Sequence, residues 1–254
     1  MIGEPGWPIA VALLLLVLLG TAALLWGSVS VAWQVPWASV RAAVQLLLIS
    51  YVVGWAVSSP WWAFALVGVM FTVGVIATSR RVGLNSPRAW AAAALAMASG
   101  AAPVLAIIFG TGAAPLEGSS IIPLAGILVG NMMTAHTLFA RRAVHDLSDG
   151  IGLYEARLSL GYDRSVAIRE LARDAVAEAL IPALDQTRTA GLVSLPGAYI
   201  GVLLGGGTPV EAGAAQVLVL VGVIAGQPLT ALVARELMSI GWLLPRKLAV
   251  QLHP

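Results

Sequence analysis

Long apolar runs, broken by short polar or Pro/Gly segments, set the pattern of this chain. Residues 10–19 contain no polar side chain at all. Strands of a membrane barrel alternate every second residue, so unbroken runs of this kind predict helices. About 20 apolar residues cross the hydrocarbon core, and seven stretches reach that length: 7–26, 38–57, 61–79, 89–110, 120–140, 183–204 and 212–233. The pattern predicts an all-α membrane protein of about seven transmembrane helices, forming one transmembrane domain over 1–254. Ser58, Ser59 and Pro60 make a tight connection between spans two and three, and 27–36, with Trp33 and Trp37, is expected to run along the membrane surface.

One polar stretch is long enough to stand outside the bilayer, 141–180. Ile168, Leu171, Ala175 and Ala179 recur at three- and four-residue spacing, with Arg169, Glu170, Arg173 and Asp174 on other faces. Gly161 followed by Tyr162 and Asp163 reads as a helix stop and a fresh N-cap. Two helices meeting at a sharp corner are expected there.

Composition agrees with this class. Of 254 residues 59% are hydrophobic and 10% charged, with mean hydropathy +0.91, against about 25% charged in soluble domains. Seven spans place all fourteen Lys and Arg residues on one side of the membrane, and positive loops stay in the cytosol. Glu4, Glu117 and Glu211 fall on the other side, so the N-terminus is expected outside and the C-terminus in the cytosol. A multi-pass protein of the inner (plasma) membrane, bedded in lipid, follows. The first apolar run has no positive flank and reads as a retained span. A formal charge of +2 gives no case for a nucleic-acid partner, and the lack of cysteine removes thiolate chemistry.

Polar groups inside spans are costly and therefore functional candidates. Asn131, Thr134 and His136 lie in span five. Span six carries Asp185, Gln186, Arg188 and Ser194 and a Pro196–Gly197 break, and span seven carries Gln216 and Gln227–Pro228. Interrupted membrane helices often mark a transport path. A local i,i+3 ion pair accounts equally well for Asp185 and Arg188. Met132, Met133 and His136 invite a soft-metal reading; packing for the methionines and an interfacial place for His136, one turn from Arg141, are preferred. Gly126-x-x-x-Gly130, Gly197-x-x-x-Gly201-x-x-x-Gly205 and Gly222-x-x-x-Gly226 favour close helix packing, inside one bundle before a dimer.

Catalytic sets are missing. Paired carboxylates, a Ser/His/Asp group and His-Glu-x-x-His are absent, and the histidines are scattered, His253 in the tail. Lys247, the only lysine, sits in no phosphate-cradling loop. An enzyme is not expected, nor a cofactor in this chain. A proton-coupled carrier would carry deep acids, and only Asp185 comes near.

The run 155–161, Glu-Ala-Arg-Leu-Ser-Leu-Gly, resembles the Glu-Ala-Ala…Gly loop by which many ABC permeases engage their ATPases. Residues 181–197, Ile-Pro-Ala-Leu-Asp-Gln-Thr-Arg-Thr-Ala-Gly-Leu-Val-Ser-Leu-Pro-Gly, are similar to the signature of the FetB-type permeases, a family implicated in iron export. Residues 41–46, 122–133 and the trio Pro209, Ala212 and Gln216 resemble further family stretches. Methionine, frequent in relatives after the Leu-Pro-Gly, is replaced here by Ala198 and Tyr199.

The resemblance implies a homodimer of permeases served by two copies of a cytosolic ABC ATPase, which holds the ATP and magnesium. The path is expected from Arg41, Gln45, Asn131, Asp185, Arg188, Ser194, Pro196, Gly197 and Gln216, and the coupling surface from Glu155, Arg157, Gly161 and Arg164. Export of a metal ion (iron) or another small solute is the expected function. A stand-alone secondary carrier is the alternative.

Overall fold

A computed structural model describes residues 6–252, which fall into two compact units divided after Ser58. Glu4 and His253 lie outside the described residues. The first unit holds α1 (Trp7–Trp26) and α2 (Gln34–Ala56), which pack together. Gly20 gives α2 room, since a Cβ there would lie 3.6 Å from Val35. No residue of α1 is buried, although its run is nearly all apolar; such a surface belongs in lipid. Helix α2 begins four residues before the expected span, so Gln34–Trp37 is already helical.

The second unit contains α3 (Pro60–Arg81), α4 (Pro87–Gly110), α5 (Gly118–Asp149), α6 (Ile151–Ser159), α7 (Arg164–Leu171), α8 (Arg173–Thr189), α9 (Gly197–Leu204), α10 (Pro209–Ser239) and α11 (Arg246–Gln251). Helix starts are coded locally. Proline opens α3, α4 and α10, where its missing N–H costs nothing. Ser86 accepts from the Ala89 amide, and Thr208 and Glu211 form a reciprocal capping box.

Helix α5 is the centre of the unit, packed on α3, α4, α8 and α10. Helix α4 offers α5 and α10 a stripe of small residues at helical spacing, Ala89, Ala92, Ala93, Ala96 and Gly100. At Gly100 the stripe meets Gly226 of α10. A Cβ on Gly226 would stand 2.8 Å from the Gly100 carbonyl oxygen, so the two backbones touch. Met132 of α5 closes this crossing, and its sulfur accepts from the Thr230 hydroxyl at 3.1 Å.

Among the described residues, six helices are long and apolar enough to cross a membrane: α1, α2, α3, α4, α5 and α10. The protein is an all-helical, multi-pass integral membrane protein. Two expectations need correction. The helix that carries span five does not stop at Ala140 but runs on to Asp149, because Ala140, Ala143 and Leu147 stay buried beyond the last apolar run. The expected span 183–204 is not one helix: it divides into the end of α8 and all of α9, separated at 190–196.

Candidate functional site

The division of that span is built from particular residues. Ala175, Ala179 and Ala183 form a buried stripe at four-residue spacing along α8. Ala175 and Ala179 share a core with Phe139, Ala140, Ala231 and Ala234, and Ala183 shares one with Leu128, Val219 and Val223. So α8 climbs α5 and α10 away from the ends of those helices that carry Arg141, Arg142 and Arg235. It stops at Thr189. Ala190 turns extended, Gly191 takes φ of 84°, and the Gly191 amide donates to the Ser194 carbonyl at 2.9 Å. Pro196, also extended, then opens α9.

The start of α9 has no side-chain cap of its own. Instead the buried Gln216 of α10 accepts from the Tyr199 amide at 3.2 Å. Gln216 sits seven residues into α10, roughly 10 Å from its start, so the break lies at that depth. Between α9, α5 and α10, on the side away from the arginines, is a cavity of about 780 Å³. Pro123, Ile127, Gly201 and Leu218 line it, with Ser119, Ser120 and the Glu211 side chain as polar members.

Pro196, Gly197 and Gln216, three of the expected path residues, therefore meet at the break, and Ser194 closes its turn. Asp185 and Arg188 pair with each other at 3.2 Å, with side chains 61% and 73% exposed. The local pair is what forms. It lies on the open face of α8. Asn131 turns inward: its amide donates to the Ile127 carbonyl at 2.9 Å, and its own carbonyl accepts from Gln227 at 3.3 Å. Arg41 and Gln45 lie one turn apart on α2 in the first unit.

His136 is not interfacial. It is wholly buried, with Nδ1 2.9 Å from the Thr78 hydroxyl, which also bonds Thr137 at 2.7 Å. These groups tie α3 to α5. Met133 packs against a core that includes Val129 and Met132.

Beyond α5 the expected corner is present. Helix α6 ends at Ser159, Gly161 takes φ of 85°, and Asp163 holds the N-cap position of α7 in extended form. No side-chain bond from Asp163 caps the helix, contrary to the capping expected of it. Glu155, Gly161, Leu153, Leu160 and Tyr162 are exposed on the outside of this elbow, Leu160 by 77%. Arg157 and Arg164 turn the other way. Arg157 reaches the Ala167 carbonyl at 3.4 Å and Glu170 at 3.6 Å, and the Arg164 guanidinium lies close to the Tyr154 phenol. Both hold the elbow's shape rather than face outward.

Burial pushes the Tyr154 phenol above its ordinary pKa, so it stays a hydroxyl. Ion pairs secure this end: Arg142 with Asp146 (2.7 Å) and Glu178 (3.0 Å), and Arg169 with Glu236 (2.8 Å). Sequence reasoning missed Tyr154 and Thr78, whose partners lie far along the chain, and Gly100, which belongs to no glycine repeat.

Comparison with known proteins gives a match to one family model, described as "Uncharacterised protein family (UPF0014)", over residues 7–241. The rice UPF0014 membrane protein STAR2 (Oryza sativa subsp. japonica) is 31% identical over 72% of this chain and 65% of its own length. The chain thus spans just under two thirds of that relative. The Synechocystis UPF0014 membrane protein slr1647 is 29% identical over 80% of this chain and 81% of its own. The Escherichia coli protein named "Probable iron export permease protein FetB" is 29% identical over 78% and 77%. No solved structure matches the chain.

Proposed function

The chain belongs to the UPF0014 membrane-protein family, and from that premise we propose that it is the membrane subunit of an ABC-type exporter. Two copies surround a translocation path and two copies of a separate cytosolic ATPase, with their ATP and magnesium, drive it. The arginine-bearing end faces the cytosol. The name of the Escherichia coli relative supports iron or another metal ion as the solute.

The observation that carries this reading is the elbow. Leu153, Leu160 and Tyr162 are exposed on a short corner outside the long apolar helices. An exposed apolar cluster rimmed by charge marks a protein contact. The elbow joins α5 to α7 and α8, so a push on it moves both walls of the broken span. Asp185, Arg188 and Ser194 then face the path, with the Gln216-capped start of α9 as its inner edge.

The test is reconstitution of the chain with an ABC ATPase in proteoliposomes. Metal ions should stimulate ATP hydrolysis, and Leu160→Asp should abolish the stimulation while the permease stays folded. Full stimulation with Leu160→Asp would remove the elbow from the mechanism.

The broken span also favours a second reading, a stand-alone secondary carrier, because interrupted helices hold the solute in many such proteins. Transport by the purified chain under an ion gradient alone, without ATPase, would decide for it.

A further inference from the structure

Helices α6 and α7 have nine and eight residues. Helices this short do not hold together on their own in water, so the elbow takes its shape from what lies beneath it. That is the segment that follows α10. After α10, Gly241 turns the backbone with φ of 87°. Leu243, Leu244, Leu248 and Leu252 then enter the same core as Tyr154, Ala167 and Ile168, and Leu243 and Leu252 are fully buried. The Tyr154 hydroxyl donates to the Leu252 carbonyl at 2.8 Å. The Arg164 guanidinium lies close to the same phenol. One side chain of α6 thereby bonds the end of α11 and lies beside the first residue of α7.

We propose that residues 241–252 form an internal brace that positions the elbow for its cytosolic partner, with Tyr154 as the positioning residue. This rests on the elbow being the partner's docking surface. The inner side of the elbow lies on the brace, and Leu153, Leu160 and Tyr162 are left on the outer side. The brace continues directly from α10, and the Arg169–Glu236 pair is a second tie between α7 and α10. The elbow therefore grips α10 as firmly as the two helices it is connected to in sequence, and a displacement of the elbow reaches the last span without passing through α5.

Hydrogen exchange on the full chain in lipid nanodiscs, alongside ATP hydrolysis by the reconstituted complex, tests this. Tyr154→Phe keeps the ring and removes the bond. Exchange across 151–171 should rise about fivefold, the opening expected from one buried hydrogen bond, with α4 unchanged and metal-stimulated hydrolysis reduced in step. Leu248→Ala should act in the same direction, and Leu248→Met should restore both readings. Unaltered elbow exchange in Tyr154→Phe and Leu248→Ala overturns the brace. A loosened elbow with full stimulation overturns its positioning role. If the unmodified chain stimulates no ATPase, the docking reading fails by itself, and the exchange measurements still decide whether the brace exists.

Discussion

Helices α10 and α8–α9 run side by side, and both carry proline, yet only one is broken. Pro228 lies inside α10, and Pro182 inside α8, without stopping either helix. At Pro196 the chain has already left the helix, because Gly191 has taken a left-handed turn five residues earlier. A proline alone removes one hydrogen bond and kinks. A glycine able to reverse the backbone, followed by a proline that can restart a helix, makes a true interruption. The two glycine repeats differ in the same way. Gly222 and Gly226 of α10 sit against Val104, Met132 and the Gly100 backbone, whereas Gly197 and Gly201 of α9 have nothing within 4 Å of a would-be Cβ. Identical spacing serves packing in one helix and leaves open space in the other.

The strongest way to break this comparison is to fill the α4–α10 crossing. Gly226→Val faces a backbone oxygen that cannot move aside, and should cost at least ~3 kcal/mol, the upper range of core overpacking. Thermal unfolding in detergent should show it, while Gly201→Val should leave the transition in place. Equal melting of the two variants would erase the distinction. Next comes the turn itself. Gly191→Val forces a β-branched residue to positive φ and should lose about 1–2 kcal/mol, with transport lost more severely than stability; Pro228→Ala should be mild in both.

A smaller effect is expected at Gln216. Gln216→Leu leaves the Tyr199 amide without its acceptor, worth about 1 kcal/mol, and amide exchange at Tyr199 should quicken about fivefold. The smallest change in stability belongs to Asp185→Asn. An exposed pair contributes under about 1 kcal/mol, so the melting curve should stay put while solute flux changes. A variant that melted early and transported normally would take Asp185 off the path.

Much of this was legible in the chain. The apolar runs from Trp7 and from Trp61 give α1 to the residue and α3 within two residues at either end, since nothing but lipid and helix can absorb such runs. Gly161 announced the elbow because few other residues accept its backbone angle. The interruption was visible as Pro196–Gly197, but a hydropathy window counts apolar side chains and does not register a turn made of Leu192, Val193 and Leu195. Arg157 and Arg164 looked like surface charges because Ala167, Glu170 and Tyr154 come to meet them only once α6 folds onto α7. His136 looked interfacial for the same reason: its partner, Thr78, lies 58 residues away.

The shortness of α9 has an electrical consequence. Eight residues rise about 12 Å, less than half of a hydrocarbon core of about 30 Å. On the proposed reading the amides of Gly197 and Ala198 would stop part-way through the bilayer, where hydrocarbon cannot solvate them. Water drawn in to meet them would carry the conducting medium inward, and the membrane voltage would fall across a thinner dielectric. A charged solute leaving the break would cross most of the field in the length of two helical turns.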